Sequence, residues 1–177
     1  MNNNQYPFIS ILIAARNEQD NIIDCLTALE HLTYPIEKLE VLIGNDHSED
    51  DTRSVVEGFI NQKPNHYLLD IKDELGNATG KANVLAHLAR KAKGEYFLIT
   101  DADIQVPENW IEGMLKGTKM QPSKSVGIVT GVTLINGNNI FHHLQAIEWL
   151  FALGMIKVVS EMKIPVTALG NNMLIHK

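Results

Sequence analysis

Apolar residues along this chain follow two alternating rhythms. Short, largely apolar runs with β-branched or aromatic members occur at residues 8–15 (FISILIAA), 39–44 (LEVLIG), 66–71 (HYLLDI) and 96–99 (YFLI). Runs of this kind read as strands, and the first is the pattern of a strand buried on both faces of a parallel sheet. Between them the apolar positions fall three and four apart: Ile22, Ile23, Leu26 and Leu29; Val55, Val56, Phe59 and Ile60; Val84, Leu85, Leu88 and Ala89; then Trp110, Ile111, Met114 and Leu115. That spacing predicts helices with one buried stripe. Asn17 with Asp20, Ser48 with Asp51, and Thr79 supply expected N-terminal caps, and Pro107 suits a first helical position. Strand and helix thus alternate through the first half, which predicts an α/β fold: a Rossmann-type, mostly parallel sheet flanked by helices, with right-handed crossovers and one crevice.

The later part is less regular. Residues 126–133 read as a strand interrupted by Gly127 and Gly131, where backbone can approach a ligand closely. A turn centred on Gly137 leads to a helix from about Ile140 to Met162, and short extended pieces at 166–169 and 172–175 flank Gly170-Asn171. His142 and His143 are adjacent and so point to different faces, which disfavours a shared metal. Within the long helix, residues 149–159 are apolar enough to lie against a membrane or a neighbouring segment; a covered core helix is the expectation.

Length and composition narrow the partners. With 177 residues, 45% of them hydrophobic, the chain fits one domain, 1–177, with a sizeable core. A net charge of −6 and the lack of any Lys/Arg block give no reason to expect nucleic-acid binding. The single cysteine, Cys25, falls on a helix's apolar stripe and reads as a core thiol in a reducing compartment. No signal peptide and no apolar run of membrane-spanning length is present, so the expectation for these residues is a soluble, cytoplasmic protein.

Chemistry is expected where strands end. In open α/β sheets ligands collect beyond the carboxyl ends of the strands. The fourth run empties into Asp101-Ala102-Asp103, and alternate residues of an extended segment point the same way, so both carboxylates can face one hard cation, Mg²⁺ or Mn²⁺. The alternative for a lone D-x-D is a cap or an Asx-turn. The second run ends at Asp46-His47-Ser48, where a carboxylate suits a ribose diol. Gly80-Lys81 opens a predicted helix whose first amides and lysine can meet phosphate, against the alternative of a solvated loop lysine. With Arg16 to Glu18, these clusters describe a nucleoside diphosphate and a metal that offsets its charge.

Four stretches, residues 9–18 (ISILIAARNE), 44–48 (GNDHS), 80–83 (GKAN) and 100–103 (TDAD), strongly resemble, in order and spacing, the family 2 glycosyltransferases of GT-A fold. The resemblance covers essentially the whole chain. It implies that Ala15 and Glu18 line the base and ribose of a nucleotide, that Asp46 in the Asp46–Ser48 cluster holds base or ribose, and that Lys81, beside Gly80, approaches the base or diphosphate. It further implies that Asp101 lies near the ribose or sugar and that Asp103 is the direct metal ligand. Thr130-Gly131 and Gly170-Asn171-Asn172 resemble the segments that shape the sugar and acceptor pocket.

The implied reaction is metal-dependent, inverting transfer of a sugar from a nucleotide-sugar donor, a UDP-sugar in most of the family, to an acceptor hydroxyl on a glycan or lipid. The family's proposed catalytic base is an acid beyond the segment that Asn172 to Ile175 resembles, and Lys177 comes before that position. The expectation is therefore a donor-binding portion with weak or no turnover, any membrane association lying in segments outside it. Three rivals remain at this stage. One is a haloacid-dehalogenase-like phosphotransferase using Asp101, disfavoured by Gln105. Another is a sugar-nucleotide pyrophosphorylase-like enzyme, disfavoured by a first turn without glycine. The third is a non-catalytic nucleotide-binding module.

Overall fold

A computed structural model describes residues 6–119, 126–135, 139–162, 164 and 170–177. Its strands are β1 (Ile9–Ala15), β2 (Leu39–Asn45), β3 (His66–Asp70), β4 (Tyr96–Asp101), β5 (Ile128–Thr130) and β6 (Asn172–His176). The α-helices are α1 (Ile22–Glu30), α2 (Thr52–Ile60), α3 (Gly80–Lys91), α4 (Trp110–Thr118) and α5 (Ile140–Glu161). The sheet runs β3-β2-β1-β4-β6-β5; the first four strands are parallel, β6 is antiparallel to β4, and β5 is antiparallel to β6.

Burial on both faces explains why β1 and β2 read as apolar runs. Ile9, Ile11, Ile13 and Val41 face one core with Ile22, Leu26, Val56, Trp110 and Ile111, whereas Leu12, Leu42 and Ile99 face a second core closed by Val84 and Leu88 of α3. At the N-terminal end of the sheet a buried knot sets the register. The Glu40 carboxylate accepts from Ser10 Oγ and from Lys93 N–H, both at 2.6 Å, and Ser10 Oγ accepts from Gly94 N–H at 2.8 Å. A burial this deep is tolerable for a carboxylate because two donors converge on it.

Several local expectations are corrected. Asn17 does not cap a helix: α1 begins at Ile22, and Asn17 sits in the left-handed region at φ 56°. Ser48 does not cap α2; Asp50 Oδ1 instead accepts the Thr52 N–H at 3.0 Å. Thr79 flanks α3 without a side-chain cap bond. Pro107 precedes α4, its carbonyl closing a turn with Trp110 N–H at 2.9 Å. The strand expected over 126–133 shrinks to three residues, Ile128–Thr130, with Gly131 N–H adding one more bond to β6 at the Asn172 carbonyl, 2.9 Å. The turn centred on Gly137 and the piece at 166–169 lie outside the described residues.

The long helix is the main departure. Asn139 caps α5 by accepting the His142 N–H, yet no residue of the helix is buried. Ile140 (79% exposed), Leu144, Ile147, Phe151 (70%), Met155 and Val158 form an outward apolar stripe, so a covered core helix is not what the described residues show. The helix is apolar on its other side too, where Leu153 and Ile156 are half-buried. No described helix is long and apolar enough to cross a membrane.

Candidate functional site

Because β2, β1 and β4 lie side by side and parallel, the residues that follow them emerge on one rim. Ala15 is in register with Asn45, and Ala14 with Asp101. The Ala15 carbonyl accepts the Asp46 N–H at 2.9 Å, which carries the strand pairing one residue past β2 into the loop. Asp46, with a side chain 14% exposed, has Oδ1 3.4 Å from His47 Nδ1. The structure thus brings the ends of the first, second and fourth strands together, as parallel pairing requires.

The first turn of α3 enters from the side. Gly80 takes a left-handed conformation, φ 52°, that brings the chain off an extended Thr79 into the helix. Lys81, one residue on, projects across the rim: its Nζ is ion-paired with Asp101 Oδ1 and lies 3.4 Å from the Gly170 carbonyl. Two of the predicted elements are therefore in direct contact, the lysine offsetting the carboxylate's charge.

Electrostatics supplies a second indication that the acids share a region. The Cys25 thiol, 1% exposed, is pushed up to about 12, first by burial and then by the carboxylates of Asp103, Asp101 and Glu18 acting on it together. Its Sγ also donates to the Asp101 carbonyl at 3.5 Å. Three acids, one at the end of β4 and two in the loops after β1 and β4, thus bear on one sulfur under the rim.

Asp103 is exposed. Among the described residues no three His, Cys, Asp or Glu side chains converge as a ready metal cage. The extended segment expected to aim both carboxylates one way is not what forms: β4 ends at Asp101, and residues 102–103 lie in a turn closed by Ile104 N–H on the Asp101 carbonyl at 3.3 Å. Carboxylates that do not form a full cage still suit Mg²⁺ or Mn²⁺, since such ions commonly bind one or two carboxylates and complete their shell with water and phosphate.

The remaining predicted residues fall around this rim. The Gly131 N–H donates to the Asn172 carbonyl, Asn172 Oδ1 accepts from Trp110 Nε1–H at 2.9 Å, and a side chain at Gly131 would collide with the Asn172 amide. Thr130 is exposed beside them. Ser48 Oγ accepts the Asn17 N–H at 3.1 Å, so one of its lone pairs is taken by the protein while its proton stays available. A hollow of about 490 Å³ between α1 and residues 105–108 is lined by Asp24, His31 and Gln105 among others, and by none of these rim residues.

Two polar residues received no role in the sequence reading, Asn83 standing there only as the end of the GKAN stretch and His87 not at all. Asn83 is 5% exposed on the inward face of α3; its Oδ1 accepts the Leu75 N–H at 2.8 Å and its Nδ2 donates to the Asp73 carbonyl at 2.9 Å. His87 Nε2 meets the same Asp73 carbonyl at 2.8 Å. Together they hold the β3–α3 loop against the helix that carries Lys81. An amide between Val84 and the Gly-Lys pair was the available signal: a polar residue on an apolar stripe needs partners.

Known proteins resemble the chain in sequence and in fold. Poly-β-1,6-N-acetyl-D-glucosamine synthase of Staphylococcus epidermidis is 34% identical over 150 residues, covering 84% of this chain and 34% of that protein. The synthase of Staphylococcus aureus MSSA476 is 33% identical over the same extent. The chain therefore spans about a third of the length of these relatives (34%). Among solved structures, the mannosyltransferase PcManGT of Pyrobaculum calidifontis, in complex with GDP-Man and Mn²⁺, matches with a TM-score of 0.60 at 29% identity, over 72% of this chain and 36% of that one. S. aureus TarS 1–349 in complex with UDP shares the fold, with a TM-score of 0.58 at 22% identity, over 75% of this chain and 37% of that one. The phosphotransferase and pyrophosphorylase alternatives give way, because the model of glycosyl transferase family 2 matches residues 10–176, and the chain belongs to that family.

Proposed function

We propose that these residues form the donor-binding part of an inverting glycosyltransferase that takes a UDP-sugar and transfers the sugar to a hydroxyl of a glycan or lipid acceptor. The observation that carries the reading is the convergence of Glu18, Asp46, Lys81, Asp101 and Asp103 on one sheet rim, with Lys81 already reaching Asp101. Support comes from relatives that include poly-N-acetylglucosamine synthases, from TarS with UDP and UDP-GlcNAc, and from PcManGT with GDP-Man and Mn²⁺.

In this reading Ala15, Glu18, Asp46 and Ser48 line base and ribose, the carboxylate of Asp46 accepting hydrogen bonds from base N–H or ribose hydroxyls. Lys81 and the first amides of α3 at Gly80 face the diphosphate, where a helix N-terminus and a cation both favour negative charge. Thr130, Gly131 and Asn172 bound the sugar. Asp103, assisted by Asp101, would hold Mn²⁺ or Mg²⁺, which when bound neutralises the charge of the departing diphosphate. The base that takes the acceptor proton is assigned to none of the described residues.

Calorimetric titration of UDP in the presence of Mn²⁺, on the unsubstituted chain, Asp46→Asn and Lys81→Met, tests the reading. Binding that weakens about tenfold or more in each variant is expected, since each removes a charged contact. Equal affinity in all three chains, or no binding to any, contradicts it.

A further inference from the structure

The segments after β1 and β2 that are assigned to the nucleotide are tied to each other by five hydrogen bonds. Asn17 donates its N–H to Ser48 Oγ at 3.1 Å and accepts the Glu49 N–H on Oδ1 at 2.8 Å. Glu18 N–H donates to Thr52 Oγ1 at 2.7 Å, Gln19 N–H to Asp50 Oδ2 at 3.2 Å, and Asp51 N–H to Gln19 Oε1 at 2.9 Å. These bonds span 31–34 residues of sequence and join the β1–α1 loop to the β2–α2 loop and the first residue of α2. Asn17 makes both of its bonds from a left-handed backbone, φ 56°, and His47, next to its partner Ser48, is left-handed too, at φ 52°. Asparagine is one of the few side chains that tolerate this region, and here its amide oxygen has a specific use there. Asn17 is itself exposed, so burial does not account for the arrangement.

From this geometry we infer that Asn17 is a positioning residue: it locks the two loops into one unit, so that Glu18 and Asp46 meet a nucleotide as a preformed pair. The inference rests on the donor-site reading above for what the unit binds, and on the hydrogen bonds alone for how it is held. A preformed pair spares the ligand the cost of ordering two loops separately.

Glycine separates the two roles of Asn17, because it keeps the left-handed backbone and removes the side-chain acceptor. Asn17→Gly is expected to retain its fold by circular dichroism, to speed amide exchange at Glu49, and to bind UDP with Mn²⁺ about tenfold more weakly. Asn17→Asp keeps an acceptor at the same place and is expected to hold Glu49 exchange and UDP affinity within about threefold of the unsubstituted chain. Gln19→Ala, which removes the acceptor for Asp51 N–H, should shift exchange at Asp51 in the same direction and provides the measurement if Asn17→Gly fails to fold. Unchanged exchange at these amides overturns the lacing, whatever the nucleotide does. Faster exchange with unchanged UDP affinity overturns the positioning role. Absence of UDP binding by the unsubstituted chain overturns the donor-site reading instead, and exchange then decides the lacing by itself.

Discussion

One methyl group added at Gly44 should disturb both the core and the rim. Gly44 lies on β2 between Ala14 and Leu69, facing α3, and a Cβ there would fall far inside contact distance of Val84 Cγ1 and 3.3 Å from Leu88 Cδ2, where ordinary contacts are 3.4–4 Å. Val84 and Leu88 are fully buried. They have little room to turn away, so α3 must move off the sheet. Overpacking of this kind costs about 1–3 kcal/mol. For a chain of this size each kcal/mol lowers the melting temperature by roughly 2–4 °C, so about 2 kcal/mol gives a fall of about 4–8 °C. The same helix carries Lys81 in its first turn, and its displacement loosens the contact with Asp101. Calorimetric melting of Gly44→Ala, Val84→Ala and the double variant measures this. The double variant should be more stable than the two single losses summed, because one methyl vacates the space the other takes. A Gly44→Ala chain that melts within about 1 °C of the parent, or strict additivity in the cycle, would refute the claimed close approach.

Two further predictions concern buried titratable groups. Cys25, held up at about 12 by burial and by the rim carboxylates, stays a neutral thiol near neutral pH; alkylating reagents followed by mass spectrometry should leave it unlabelled in the folded chain and label it in denaturant, and rapid labelling in native buffer would contradict its placement. His66 is 8% exposed and held below its ordinary value, mainly by burial; Glu30 opposes this and Lys63 adds to it. Because the folded value is the lower one, the unfolded chain takes up the proton first as pH falls, so this group's contribution is intact above about pH 6.5 and declines as pH drops from there through the folded value. Melting curves between about pH 7.5 and about pH 5 should show a shallower loss in His66→Gln than in the parent, and parallel losses would show that another group sets the slope.

The strand ends were readable in the sequence because parallel pairing is a strong constraint. Once 9–15, 39–45 and 96–101 are neighbouring parallel strands, Glu18, Asp46 and Asp101 must share a rim, whatever the loops do in detail. What the sequence concealed was non-local. Asn17 and Asp20 have the spacing of a local cap, but the partner of Asn17 is Glu49, 32 residues away, and a carboxamide serves either purpose equally well. Pro107 looked like a first helical residue, yet its carbonyl closes a turn and the helix starts at Trp110. The apolar stripe from Ile140 to Val158 was evident as a pattern, but a pattern says that a surface avoids water and not what lies against it.

The central claim is that the rim's carboxylates bind a nucleotide through a shared divalent ion. Calorimetric titration of UDP with and without Mn²⁺, on the unsubstituted chain and on Asp103→Ala, tests it most directly. The account predicts binding that needs Mn²⁺ and that falls about tenfold or more in Asp103→Ala. The same affinity with and without the metal, or in both chains, would contradict it.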